Sequence, residues 1–389
     1  MKLGLNSYHS YEHYVTDLSR TQEFYEKVLG YKTIGNSTPA AEKKDGMQRL
    51  VLTAGRDINV VLSKPLTEWS VAAKYLSHHP EGVGALNFRV DSLELAYNFL
   101  EERNATFLYA PVTETTPQGI FKQFAIATPL ADVCFRFIED TAFQGFSPAF
   151  AMTEQPGEFR SEHHYECIDH ITSNVKSLQP LVAFFKDVMA FETFWGIAFH
   201  TNDINPDLPV GSGLKSAVMW DPTSGIKFAN NEPSPPYFRN SQIDIYLNDN
   251  HGAGVQHIAL RVPRILPVMH KLKSAGGQFL PAPASYYAQT PERLKESGFT
   301  GKVSEPLADL EQHSILVDAS EKGYLLQIFS LVLGRHYGDT PGGPLFYEVI
   351  QREGDDGFGG GNFRALFETI EVDQIALEKT AQQLPLETI

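Results

Sequence analysis

Residues 344–367 read PLFYEVIQREGDDGFGGGNFRALF, and the rest of the chain is best interpreted from this stretch. Its first part, residues 345–350, is rich in aromatic and β-branched residues, which is typical of a buried strand. Glu348 lies within that strand, and a buried carboxylate needs a cationic partner or a metal because its desolvation costs several kcal/mol. A glycine-rich segment and a helical pattern from Asn362 follow. The stretch therefore predicts either a site beneath a hinged lid or a core glutamate paired with an arginine under a surface loop.

The chain also contains an internal repeat. GVGALNFRV at residues 82–90 resembles GVQHIALRV at residues 254–262. At the same offset, ATFLYAP at residues 105–111 resembles GQFLPAP at residues 277–283. Apolar residues at helical spacing lie between the members of each pair. Each copy is therefore predicted to contain a strand, a helix and a further strand, within a β-α-β series that has additional strands.

This repeat and the length of 389 residues favour an α+β fold with two domains. We place the N-terminal domain at residues 1–150, a linker rich in turn-forming and charged residues at 151–166, and the C-terminal domain at 167–380.

The repeat extends beyond these segments with small insertions. Upstream, we align His13 with His170, because each precedes a helix that ends in a similar apolar segment. Downstream, we align DVCFRFIE at residues 132–139 with GYLLQIFS at residues 323–330. On this alignment Ala85 occupies the position that His257 occupies in the second copy.

Composition and charge exclude several classes of partner. The formal net charge is −15 and no block of lysine or arginine occurs, which argues against nucleic acid and anionic membrane surfaces. No apolar run is long enough to span a membrane, and the N-terminus shows no signal-peptide pattern. Two cysteines are too few for a disulfide framework. We therefore expect a cytoplasmic protein.

Two histidines in predicted strands of the second copy are candidate metal ligands. His257 has apolar neighbours on both sides, where a histidine is commonly a hydrogen-bonded core residue. The alanine at position 85, however, indicates that packing at the equivalent place does not require an imidazole. His170, His257 and Glu348 together suit Fe(II) in a facial arrangement with three open positions. Zinc binds the same ligand types, so both metals remain open at this point.

Five segments of the second half carry more specific motifs. They are GAGVQHIAL, FLPAPASYY, LVDASEKGYLLQIF, PLFYEVIQR and GFGGGNFRALFETIE. Together they resemble the 4-hydroxyphenylpyruvate dioxygenase family of the vicinal-oxygen-chelate superfamily, and its close sister family of hydroxymandelate synthases. The resemblance is dense over the second half and weak over the first. It implies two tandem vicinal-oxygen-chelate domains built from paired βαβββ modules, with a C-terminal lid helix that gates the pocket.

The resemblance also implies the residues of the site. His170, His257 and Glu348 would hold one Fe(II) ion per chain, while the N-terminal domain would bind no metal. The polar residues implied to act in catalysis are Ser216, Asn231, Gln242, Gln256 and Gln327. The residues implied to contact the substrate are Pro283, Phe329, Phe346, Phe358, Asn362 and Phe363. Gln256 could instead face away from the metal, since it alternates with its neighbour along a strand, and Phe329 and Phe346 could be core residues.

The implied reaction is the conversion of 4-hydroxyphenylpyruvate and O2 to homogentisate and CO2 in tyrosine catabolism. One alternative is 4-hydroxymandelate synthesis from the same substrate. An alternative of another class is a metal-free paired module that only binds a ligand. In each case the partners are small molecules, and we expect a homodimer or homotetramer.

Overall fold

The computed structural model describes residues 2–55, 57–200, 213–234 and 241–362. Within these residues the chain forms two curled sheets, each made of two βαβββ modules, with short helices between the strands. The predicted α+β fold with two tandem vicinal-oxygen-chelate domains is therefore confirmed. No helix in the described ranges is both long enough and apolar enough to cross a membrane.

The first sheet belongs to the N-terminal half. Its strands are β1 (Leu5–Tyr14), β2 (Lys32–Ser37), β3 (Met47–Gly55), β4 (Ile58–Pro65), β5 (Gly82–Val90), β6 (Phe107–Thr116), β7 (Gly119–Ile126), β8 (Cys134–Glu139) and β9 (Phe150–Met152). Its helices are α1 (Leu18–Glu23), α2 (Pro39–Asp45), α3 (Val71–His78) and α4 (Leu93–Glu101). Among the described residues the strand order is β6-β7-β8-β5-β1-β4-β3-β2-β9. Because β9 pairs with β2, this sheet reaches two residues beyond the domain boundary predicted at residue 150.

The second sheet belongs to the C-terminal half. Its strands are β10 (Cys167–Asn174), β11 (Glu192–His200), β12 (Gly213–Trp220), β13 (Lys227–Pro233), β14 (Gly254–Arg261), β15 (Leu316–Ser320), β16 (Gly323–Phe329) and β17 (Phe346–Glu353). Its helices are α5 (Leu178–Ala183), α6 (Gln242–Asp249), α7 (Ile265–Ser274), α8 (Ala284–Glu296), α9 (Leu307–His313) and α10 (Leu333–Tyr337). Across the described part of this half the strand order is β11-β12-β13-β10-β14-β17-β16-β15.

The strand predicted at residues 277–283 does not form, and β15 takes its place as the counterpart of β6 at the edge of the second sheet. Residues 107–116 form β6, but the described residues 277–283 form only a single bridge, between Phe279 and Ser330. Pro281 and Pro283 lack the backbone N–H that a paired strand needs. Helices α8 and α9 occupy the chain before the next strand, β15, begins.

The strand register also corrects the alignment of the first strands. In the first sheet Ser10 pairs with Asn87, and in the second His170 pairs with Ala259. The counterpart of His170 is therefore Ser10, and the predicted match to His13 is wrong. The matching π-helical turns that follow α1 and α5, Phe24–Val28 and Phe184–Val188, support the same offset. The prediction relied on a shared histidine and shifted the strand by an odd number of residues, which places the side chain on the opposite face.

The match between residues 132–139 and 323–330 is wrong as well. Strand β8 pairs in parallel with β5, and β17 pairs in parallel with β14. The counterpart of β8 is therefore β17 rather than β16. In this register Arg136 is opposite Asn87, just as Glu348 is opposite Ala259, so Arg136 occupies the position equivalent to Glu348.

A shared aromatic core holds the two halves together. Phe228, on β13, is fully buried and stacks on Phe135 of the N-terminal half with ring centroids 5.6 Å apart. Its ring also lies 4.9 Å from that of Phe185, which follows α5. One continuous buried apolar cluster includes residues of both sheets. The two sheets are therefore expected to depend on each other for stability.

We predict that Phe228→Ala lowers the free energy of unfolding by about 3–5 kcal/mol, because it removes a buried ring and leaves a cavity between the sheets. Urea denaturation followed by fluorescence measures this loss. Leu95→Ala is the control, since Leu95 is 52% exposed. Equal losses in the two variants would contradict a core shared between the halves.

Candidate metal centre

Three adjacent strands bring His170, His257 and Glu348 to one face of the second sheet. Ala259, on the middle strand β14, pairs with His170 of β10 on one side and with Glu348 of β17 on the other. His257 is two residues from Ala259 on the same strand, so its side chain projects from the same face. All three side chains are buried, with at most 4% of each residue exposed. The small methyl group of Ala259 leaves space between them.

The three side chains converge on one point. Glu348 Oε2 lies 3.2 Å from His170 Nε2 and 3.2 Å from His257 Nε2. Their potential ligand atoms lie within 4.8 Å of one another. His257 Nε2 is buried and makes no hydrogen bond of acceptable geometry within the described part of the chain. Two imidazole nitrogens and a carboxylate oxygen in this arrangement fit a divalent metal ion such as Fe(II) or Zn(II).

Burial and charge together set the protonation of these groups. Burial opposes ionisation of Glu348, but the neighbouring His170 and His257 lower its pKa to about 2. Burial lowers the pKa of His257, which favours the neutral imidazole that binds metals. Burial also opposes protonation of His170, yet Glu348 and Asp169 raise its pKa overall. The site is therefore arranged around a fixed negative charge that a bound cation would neutralise.

Asp169 and Arg352 fix the orientation of His170, and neither residue was predicted from the sequence. Asp169 Oδ1 is 2.8 Å from His170 Nδ1, an interaction that leaves Nε2 to face the metal position. Arg352 binds the same carboxylate through two hydrogen bonds of 2.7 Å, from Nε and Nη2. Burial alone would raise the pKa of Asp169, but these hydrogen bonds hold it far below its usual value. A carboxylate behind a ligating histidine orients the ring and raises its basicity.

Arg352 also connects this carboxylate to the glycine-rich loop. Its Nη1 donates to the backbone carbonyls of Asp355 at 3.0 Å and Gly357 at 2.6 Å. The next residue, Phe358, lies with its ring centroid 4.9 Å from that of His170. Gly359 has φ +66°, and a Cβ atom there would lie 2.6 Å from the side-chain amide of Gln327. Glycine at this position therefore allows the loop to close over the donors.

The cavity at the three donors is nearly filled, with a volume of about 10 Å³. Five residues predicted from the sequence line it together with the donors: Ser216, Asn231, Gln327, Phe329 and Phe358. Thr172, Trp195 and Ala229 also line it and were not predicted. A ligand of aromatic size therefore fits only if side chains such as those of Phe358 and Trp195 move.

Three other predicted residues, Phe346, Gln256 and Asn362, lie outside the cavity lining. Phe346 stacks on His257 with ring centroids 4.8 Å apart, and Gln256 Oε1 is 3.1 Å from His257 Nδ1. Asn362 is buried, but its Oδ1 accepts a hydrogen bond from the Tyr286 hydroxyl, so it anchors the loop to α8.

Two predicted residues are not brought to the cavity. Gln242 is exposed, because the Ser241 hydroxyl caps α6 and Gln242 takes the first helical position. Pro283 precedes α8 and is half-buried away from the cavity lining. The lid helix was predicted to begin at Asn362, and Phe363 with the rest of that helix lies outside the described residues.

Comparisons with known proteins agree with this geometry. Residues 7–132 and 167–293 match the family model of the Glyoxalase/Bleomycin resistance protein/Dioxygenase superfamily. A 4-hydroxyphenylpyruvate dioxygenase from Dictyostelium discoideum is 33% identical over 325 residues, which cover 82% of this chain and 85% of that protein. Another from Coccidioides posadasii (strain C735) is 30% identical over 392 residues, covering 95% of this chain and 94% of that one.

A solved structure shares the fold. It is a mutant of 4-hydroxymandelate synthase from Streptomyces coelicolor, with a TM-score of 0.78 and 23% sequence identity. The match covers 95% of this chain and 99% of that chain.

We predict that His170→Ala, His257→Ala and Glu348→Ala each lower the bound divalent metal from one ion per chain towards zero, because each removes one of three donors. Metal analysis after reconstitution and gel filtration measures the stoichiometry. The control is His78→Ala, which removes a histidine whose side chain is 68% exposed. Full occupancy in any of the three variants would exclude that residue from the metal centre.

We also predict that Asp169→Asn weakens metal affinity about 10- to 100-fold, because the asparagine keeps the shape but loses the charge that orients His170. Titration with Co(II), followed by its absorption, gives the dissociation constant. Glu166→Gln is the matched control, since it removes an ion pair with Arg261 at an exposed position just before β10. An unchanged dissociation constant in Asp169→Asn would show that the carboxylate does not support the metal centre.

Proposed function

The chain belongs to the 4-hydroxyphenylpyruvate dioxygenase family, and from that premise we propose that it converts 4-hydroxyphenylpyruvate and O2 to homogentisate and CO2, using one Fe(II) ion per chain. One structural observation supports the proposal most directly. His170, His257 and Glu348 meet on one face of a buried sheet with their ligand atoms within 4.8 Å of one another. The proposed reaction is a step of tyrosine catabolism.

Family membership favours Fe(II) over zinc, although the ligand types accept either metal. When bound, Fe(II) supplies a redox-active centre with open positions for a 2-oxo acid and O2. His170, His257 and Glu348 would hold the ion, and one carboxylate leaves a divalent ion with a net positive charge. That local positive charge attracts the carboxylate of a 2-oxo acid, although the protein as a whole is negatively charged.

Polar groups in the cavity are proposed to orient the far end of the substrate. Asn231 donates from Nδ2 to Asn174 Oδ1 at 3.1 Å, while its own Oδ1 is buried without a partner among the described residues. The hydroxyl of Thr172 is also buried and unpaired in the described part of the chain. A phenol hydroxyl that donates to Asn231 Oδ1 would satisfy a group whose isolation costs about 1–3 kcal/mol. Ser216 is opposite Asn231 on the neighbouring strand and would assist it.

Phe358 and Trp195 are proposed to control access and exclude water. Their rings stack with centroids 6.1 Å apart, and Phe358 is only 5% exposed. The loop that carries Phe358 is held by Arg352 on one side and turns at Gly359 on the other. Substrate entry would displace Phe358, and its return would separate the reacting atoms from bulk water.

The alternative functions are less well supported. The similarity to a 4-hydroxymandelate synthase structure is at 23% identity and concerns the fold, whereas the relatives at 30% identity or more are named 4-hydroxyphenylpyruvate dioxygenases. A metal-free binding module would not need two imidazoles and a carboxylate buried against one another. We further infer a cytoplasmic location, which the two free cysteines support. A homodimer or homotetramer stays a prediction, for sedimentation to test.

We expect the Fe(II)-loaded protein, incubated with 4-hydroxyphenylpyruvate in air, to release homogentisate and CO2 in equal amounts. Chromatography of the product and trapping of CO2 measure both. The matched control is the Glu348→Gln protein, which removes one negative donor and is expected to lose turnover. Formation of 4-hydroxymandelate would indicate the sister activity instead, and the absence of both products would refute the proposal.

A further inference from the structure

The N-terminal sheet contains a polar cluster at the place that corresponds to the metal centre. The register of the two sheets makes Ser10, Ala85 and Arg136 the counterparts of His170, His257 and Glu348, respectively. All three metal donors are thus replaced in the N-terminal copy. A positively charged side chain nevertheless lies there, because the guanidinium of Arg136 projects from the face that carries Glu348 in the other copy.

Arg136 belongs to a buried network of hydrogen bonds. Its Nη1 lies 3.3 Å from Glu12 Oε2 and donates to Asn87 Oδ1 at 3.0 Å. The other carboxylate oxygen of Glu12 accepts from the Ser63 hydroxyl at 2.7 Å. Asn87 in turn donates to the Ser10 hydroxyl at 2.9 Å. The Glu12 side chain is only 3% exposed, so Arg136 compensates a carboxylate that would otherwise be buried without a counter-charge.

This network forms the floor of a large cavity rather than a filled core. The cavity has a volume of about 640 Å³, within the range of about 300–1,000 Å³ that is usual for small-molecule sites. Packed interiors leave few voids larger than a water molecule, so a structural ion pair does not by itself require this space. The wall includes the rings of Tyr109, Phe121 and Phe146. At the mouth lies Trp69, which is 55% exposed.

The Nε and Nη2 donors of Arg136 indicate the chemical class of the ligand. A guanidinium carries five N–H groups in a planar fork that matches a carboxylate. Glu12 and Asn87 are both bound through Nη1. The Tyr109 hydroxyl is a further hydrogen-bond partner of the guanidinium, so a ligand would share the Nε and Nη2 donors with it. The Arg136 side chain is 23% exposed although it lies at the cavity floor. The adjacent charge of Glu12 disfavours a dianion such as phosphate, so a singly charged anion suits the site better.

We propose that this cavity is a second, metal-independent binding site, which takes a small aromatic monocarboxylic acid with its carboxylate at Arg136 and its ring between the aromatic walls. The site is separate from the metal centre and does not depend on the proposed reaction. Its affinity is limited by Glu12, because that carboxylate lies 3.3 Å from Nη1 of the same guanidinium and repels the carboxylate of the ligand.

Two substitutions of the ion pair are expected to act in opposite directions. With 4-fluorobenzoate as the probe and the full chain as the protein, ¹⁹F NMR titration gives the dissociation constant. Glu12→Gln keeps the side-chain volume and removes the competing anion, so the probe should bind about tenfold more tightly. Arg136→Met removes the donors and should weaken binding at least about tenfold. A purely structural ion pair would change stability in both variants and probe binding in neither.

Two further variants separate loss of the site from loss of the fold and from effects of the metal centre. Arg136→Met alone leaves Glu12 buried without a counter-charge, so the double variant Glu12→Gln/Arg136→Met serves as a neutral replacement that retains the fold and should not bind the probe. Circular dichroism checks its folding. His257→Ala impairs the metal centre and should leave probe binding unchanged. No saturable binding by the wild-type and Glu12→Gln proteins, or binding lost in His257→Ala but kept in Arg136→Met, would overturn the proposal.

Discussion

The pairing of three strands through Ala259 is the constraint on which the candidate site depends. Because Ala259 is opposite both His170 and Glu348, these two side chains face each other across the width of one strand. Side chains alternate along a strand, so His257 joins them only in this register, and a slip of one residue would move it to the other face. The apolar core that fixes the strands therefore also fixes the geometry of the donors.

A chain of buried charges then links the donors to the loop above them. Arg352 binds the carboxylate that orients His170 and, through the same guanidinium, the backbone that carries Phe358. Displacement of the loop would remove two hydrogen bonds from Arg352, while its two bonds to Asp169 could persist. Arg352 thus has two separate roles. It holds the loop over the cavity through two hydrogen bonds and supports His170, through Asp169, by two others.

The fold class could be predicted because the repeat, the strand patterns and the family motifs are all readable in the sequence, and the same motifs singled out His170, His257 and Glu348, which the structure brings together. The sequence did not predict Asp169 and Arg352 as a pair, since they are far apart in the chain and meet only through strand pairing. The same limit explains the wrong match of His13 to His170. A shared residue type suggested that alignment, whereas hydrogen-bond register places Ser10 there. Gln242 was expected in the pocket, but a helix cap turns it to solvent.

Anomalous scattering at the iron absorption edge from crystals of the Fe(II)-loaded protein would locate the metal ion directly. If His170, His257 and Glu348 hold the iron, one strong peak per chain is expected within bonding distance of His170 Nε2, His257 Nε2 and Glu348, and no peak in the N-terminal sheet beside Arg136. A strong peak at any other place, or the absence of one between these three side chains, would contradict this assignment.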